Sequence, residues 1–245
     1  MAFFISAFMN THPTSNKKVQ RAWVMYDWAN SVYSLVITST IFPVYYNSVT
    51  QASDGSDIVS FFGWEIVNTV LYSYSISFSF LVIALLAPLL SGIADAAGNK
   101  LNFMKFFVYL GAVSCISLFF FTGDNLEFGI ICSVLASIGF SGSIVFYNSF
   151  LPEIAKEEEF DMLSAKGFAF GYIGSVILLI FNLLMIQQPD WFGMPTGSFA
   201  PRFSFLVTGI WWIGFAQIPF RALPNNPYKK SISADYLLKG YREIN

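Results

Sequence analysis

The stretch "WVMYDWANSVYS", residues 23–34, puts a carboxylate, Asp27, and an amide, Asn30, at the mouth of a long charge-free apolar segment. An ionisable side chain at the centre of a membrane helix costs roughly 2.5–3.5 kcal/mol on insertion scales, so such residues face a bundle interior or a wet cavity. Asp27 lies about one turn from the inner end, where the cost is smaller. Two roles are open to it. It can be an interface carboxylate paired with Arg21 or another basic residue, or it can meet a substrate, a proton or a gate.

The spacing of its neighbours gives the carboxylate a direction. Asp27, Ser31, Ser34 and Thr38 recur at i, i+4, i+7 and i+11, with Asn30 beside them, which describes one face of a helix. Asn68, Tyr72, Ser75 and Ser79 repeat that spacing in the next apolar segment. Ser133, Ser137 and Ser141 form a third stripe that ends at Tyr147 and Asn148. In "GFAFGYIGS", Gly167, Gly171 and Ser175 stand four apart, with Gly174 adjoining, a pattern that lets helices approach closely. For the serines and glycines, packing alone is the commoner explanation. The pathway candidates are Asp27, Asn30, Ser34, Thr38, Asn68, Tyr72 and Asn148; the packing candidates are Gly167, Gly171 and Gly174.

Other chemistry finds little support. The chain has one histidine, His12, and two cysteines, Cys115 and Cys132, both within apolar segments and not in a CxxC pair. No metal ligand set, cofactor or nucleophile–base arrangement is expected, and no enzyme activity. No run of Lys or Arg suggests a nucleic-acid partner.

The elements that must position these residues follow from composition. Of 245 residues, 55% are hydrophobic and 11% charged, less than half the roughly 25% charged share of soluble domains. Such a chain cannot cover a water-facing surface, so it reads as an all-α membrane protein with the lipid bilayer as its outer solvent. Crossing the hydrocarbon takes about 20 apolar residues. Helices are expected at about 23–47, 67–91, 103–122, 128–149, 166–187 and 203–221, six spans within a bundle over 22–222. Residues 1–21 read as a cytoplasmic lead-in. Residues 223–245 read as the start of a cytoplasmic connector. Arg202 is the one basic side chain of the bundle on the outer side if both termini lie inside, so the positive-inside rule predicts an N-in, C-in topology. The outer connections, "TQASDGSDIVSFFGWE" among them, read as short ordered loops with aromatic anchors. Trp23 and Trp28 would anchor the inner end of the first helix.

"PLLSGIADAAGNK", residues 88–100, is the most specific local signal, with Gly92 and Gly98 placed for a tight turn between the second and third spans. This loop resembles the signature between helices two and three of the major facilitator superfamily. Ser91 stands at its first glycine position, Ile93 at the Leu, Ala94 at the Ala, Asp95 at the Asp, Gly98 at the second glycine and Lys100 at the final basic residue, while Ala96 replaces an arginine. "YDWANS", "IFPVYY", "FYNSFLPEIA" and "GFAFGYIGS" together are similar to the vacuole-effluxer-like branch of that superfamily.

The resemblance implies twelve spans in two six-helix halves with a midplane site between them, this chain matching the N-terminal half. It implies a secondary transporter working by alternating access on a small solute, with amino acids suggested by the branch's fungal members. Asp95, Gly98 and Lys100 would form an inner gate, and helices one, two, four and five would line the cavity. The implied partners are the solute and either a C-terminal six-helix half or a second six-helix chain. The expected location is a bacterial inner membrane. The competing expectation is a non-transporting assembly or sensor module, and a homodimeric half-transporter is a third arrangement.

Overall fold

The structure is a computed structural model that describes residues 16–52, 55–97 and 99–225. The first helix, α1, runs unbroken over 17–50, in three parts: α-helical Lys17–Val32, a π-helical stretch Tyr33–Ile41, and α-helical Phe42–Thr50. Its start is fixed by Asn16, whose side chain accepts a hydrogen bond from the Lys18 N–H at 3.0 Å. That cap satisfies one of the donors a helix N-terminus leaves unpaired and sets the start well before residue 23.

Five further long helices follow: α2 (Asn68–Ala97), α3 (Lys100–Ser117), α4 (Leu126–Ser149), α5 (Phe160–Gln187) and α6 (Phe199–Ala222). The helical segments Asn68–Leu90, Lys100–Phe120, Leu126–Ile154, Glu157–Gln187 and Phe199–Ala222 are each long and apolar enough to cross a bilayer. The chain is an all-α membrane protein. The exposed large residues of α2, among them Tyr74, Phe78, Leu81 and Leu85, suit a lipid or protein neighbour rather than water.

Two local expectations are corrected. The connection between α1 and α2 is not only a loop: Ile58–Phe61 (β1) and Trp64–Val67 (β2) pair as an antiparallel hairpin, with Phe61 opposite Trp64. Its two turn residues, Phe62 and Gly63, both adopt positive φ, the twist that two-residue hairpins favour. The bend expected at Gly92 is also absent. α2 continues through Pro88 and Gly92 to Ala97, because intrahelical bonds on either side hold the helix past a single proline or glycine. Gly98 and the Asp95 side chain lie outside the described residues, as do most of the 223–245 connector and of the 1–21 lead-in.

In the bundle, α1 lies between α5 and α6, α3 packs against α4 and α6, and α2 packs against α4. Trp23, Tyr26, Phe42, Tyr46, Phe146 and Trp212 are among the fully buried side chains at the centre. Hydrogen bonds fasten the C-terminal end of α1: Tyr45 donates to the Phe121 carbonyl at 2.7 Å and Tyr46 to the Asn68 carbonyl at 3.0 Å.

Candidate functional site

A cavity of about 330 Å³ lies among α1, α4 and α5. From α1 it takes Trp23, Asp27, Asn30, Ser31, Ser34, Leu35 and Ser39; from α4, Phe140, Ile144, Tyr147 and Asn148; from α5, Ser164, Phe168, Tyr172 and Ser175. The volume falls at the lower end of the range for ligand cavities, enough for a small solute. It is open where Ser34, Asn148, Phe168 and Tyr172 are exposed.

Asp27 is buried in the wall of this cavity, and its Oδ2 accepts a 2.7 Å hydrogen bond from the Tyr147 hydroxyl. Tyr147 is itself held on two sides. Its ring stacks on Trp23 with centroids 4.3 Å apart, and the Trp23 indole N–H donates to its backbone carbonyl at 3.0 Å. The donor is therefore pre-positioned, and a hydrogen bond to a charged group contributes about 1.5–3 kcal/mol. The carboxylate takes its bond from a neutral hydroxyl of α4 and not from Arg21.

The glycines of α5 create the room. A Cβ on Gly167 would collide with Asp27 Oδ2, and one on Gly171 would collide with Ser31 Oγ while lying 3.1 Å from the Asp27 carbonyl. A Cβ on Gly174 would lie 2.9 Å from the Trp28 ring. Helix α5 thus offers α1 a side-chain-free strip along about two turns, and Trp28 fills the space beside it.

Of the pathway candidates, Asp27, Asn30, Ser34 and Asn148 line this cavity, whereas Thr38, Asn68 and Tyr72 do not. The reason for Thr38 is the π-helical stretch. Its wider turn adds residues to the helix and shifts the phase of everything beyond it, so the even stripe drawn from Asp27 to Thr38 breaks and Ser39 faces the cavity instead. Thr38 offers its backbone carbonyl to the Tyr72 hydroxyl at 3.3 Å. Asn68 is fully buried beside the C-terminal end of α1, where its Nδ2 donates to Asn47 Oδ1 at 3.1 Å and Thr50 Oγ1 at 3.0 Å. Both α2 residues tie α2 to α1 and contribute nothing to the cavity described. Ser39, Tyr147, Phe168 and Tyr172 also line the cavity, beyond the pathway candidates; Phe168 and Tyr172 lie inside the quoted glycine motif, where only the small residues carry a helical spacing.

Among the gate candidates, Lys100 at the start of α3 pairs with Glu153 at 2.8 Å, joining the α2–α3 connection to the α4–α5 connection. Nearby, Gln20 Nε2 donates to the Ile154 carbonyl at 3.1 Å and to Glu159 Oε2 at 3.2 Å. The N-terminal ends of α1 and α3 and the C-terminal end of α4 are thereby fastened to one short segment.

A membrane-embedded helical bundle with a polar cavity around a buried carboxylate is the class that fold and site define. The chain belongs to the vacuole effluxer Atg22-like family, whose pattern matches residues 15–245. Among similar proteins is the uncharacterized MFS-type transporter YxiO of Bacillus subtilis (strain 168), 37% identical over 203 residues, which cover 82% of this chain and 45% of that one. Autophagy-related protein 22 of Gibberella zeae is 26% identical over 60% of this chain and 25% of its own length. Autophagy-related protein 22-2 of Neosartorya fischeri is 22% identical over 74% and 40%. The chain spans less than half the length of these relatives. No solved structure matches it.

Proposed function

We propose that the chain is the N-terminal six-helix half of a secondary transporter that moves a small solute by alternating access, with both termini on the cytoplasmic side of a bacterial inner membrane. One observation carries the reading: a small polar cavity surrounds a buried carboxylate among α1, α4 and α5, and it is open on one side. An open cavity of this kind calls for a second bundle to cover it, supplied by a C-terminal half or by a second six-helix chain. The name of the bacterial relative supports transport by this kind of protein, and the family name supports efflux; an amino acid is the solute class that the resemblance to the branch's fungal members implies. Asp27, Asn30, Ser34 and Asn148 line the pathway in this reading, and Asp95, Gly98 and Lys100 belong to the inner gate. On this reading α1 is also a span, because its inner and outer parts are continuous through the π-helical stretch.

Solute flux into proteoliposomes, measured for the full-length polypeptide and for its Asp27→Asn variant, tests the proposal. Transport by the parent protein that is lost or uncoupled in the variant is expected. Equal flux in both would remove Asp27 from the pathway.

A further inference from the structure

The charge in this cavity is one-sided. Among the described residues that line it, Asp27 is the one ionisable group of either sign apart from tyrosine hydroxyls, and none is Lys, Arg or His. Tyr147 steadies the carboxylate but, as a neutral donor, cannot cancel its charge. In a low-dielectric bundle an unneutralised carboxylate favours whatever cation can reach it.

The remaining walls suit such a guest. Phe168 and Tyr172 stand four residues apart on α5 and are 64% and 70% exposed, so their ring faces are free on the open side of the cavity. Across from them, Phe140 borders the same space from α4. Aromatic faces within about 6 Å attract a cation, and such contacts contribute about 0.5–2 kcal/mol. Asn30, Asn148 and Ser34 add oxygen acceptors. An ammonium group has three donors and no acceptor, which matches an anionic, acceptor-rich, aromatic-walled site. Conversely, these walls carry no cation for a solute's carboxylate.

The geometry points to a binding site for the ammonium group of a small amine, with Asp27 as its counter-ion and the Phe168 and Tyr172 rings as its outer wall. This site rests on reading the cavity as the substrate chamber, and it names the chemistry of the end that enters it.

The test is isothermal titration of the purified full-length protein in lipid nanodiscs with three probes of one shape: phenethylammonium, phenethyl alcohol and 3-phenylpropanoate. Phenethylammonium is expected to bind at least ~10-fold more tightly than the alcohol, and Asp27→Asn to erase the difference. The double variant Phe168→Leu/Tyr172→Leu, which leaves the carboxylate in place, is expected to weaken the ammonium probe ~3–10-fold and the alcohol less. Equal affinity of the unmodified protein for ammonium and alcohol would overturn the site, and needs no variant to fold. Unchanged ammonium binding in Asp27→Asn would overturn it too, as would binding of 3-phenylpropanoate as tightly as of the ammonium probe. The transport reading fails separately: charge-selective binding without flux in proteoliposomes would retire transport and leave the site standing.

Discussion

Asp27 on the first long helix and Tyr147 on the fourth are joined by a 2.7 Å hydrogen bond across 120 residues of sequence. The bond connects the two walls of the cavity through its one carboxylate, and the stacked Trp23 ring leaves Tyr147 little freedom to turn away. Tyr147→Phe removes the donor while keeping the ring. The carboxylate then loses its one described partner, and the protein is expected to lose about 1–3 kcal/mol of stability, read as a lower thermal midpoint in detergent. Asp27→Asn combined with Tyr147→Phe should cost less than the sum of the two, since the bond is shared.

Helix α5 is expected to be intolerant of small additions on one strip and tolerant elsewhere in the bundle. Gly167→Ala pushes a methyl group into Asp27 and should cost about 1–3 kcal/mol, as overpacking does. Gly214→Ala on α6, where a Cβ meets nothing within 4 Å, is the control and should leave the thermal midpoint unchanged or slightly raised. Equal effects at both positions would show that the strip does not set the α1–α5 distance.

Asn68 separates a structural role from a pathway role. Its side-chain amide is buried at the α1–α2 junction and donates to two side-chain acceptors. Asn68→Ala leaves Asn47 and Thr50 without that donor and should destabilise the protein by about 1–3 kcal/mol. Solute affinity, measured by titration on the folded fraction, should stay as it was.

The Lys100–Glu153 pair is partly exposed, with side-chain exposures of 17% and 42%, so it contributes little stability. Glu153→Gln is expected to leave the thermal midpoint nearly unchanged. If the pair helps hold this end of the bundle closed, the same variant should raise the labelling rate of cysteines placed on the half of the cavity nearest it. An unchanged rate would assign the pair to the surface alone.

Much of the architecture was legible because lipid imposes simple demands. Runs of apolar residues the length of a bilayer marked α2 to α6, and the one-faced spacing of Asp27, Ser31 and Ser34 pointed into the bundle. The errors came where a local backbone event overrode periodicity. The Asn16 cap moved the start of α1, the Phe62–Gly63 turn made a hairpin from an expected loop, and α2 ran through Gly92. Thr38 fell out of the stripe for the same kind of reason. Tyr147 could not be paired with Asp27 from spacing at all, since nothing in a linear pattern records which helices become neighbours.

The π-helical stretch Tyr33–Ile41 makes α1 serve two sets of neighbours at once. Its N-terminal part aims Asp27 at α4, while its C-terminal part aims Tyr45 at the chain just beyond α3 and Tyr46 at the start of α2. A regular helix turns about 100° per residue, so removing one residue from this stretch would swing one set of side chains about a quarter-turn away from its partners. The number of residues between Val32 and Phe42 therefore carries information that their identities do not. Along this segment a conservative substitution should be forgiven more readily than a single-codon deletion.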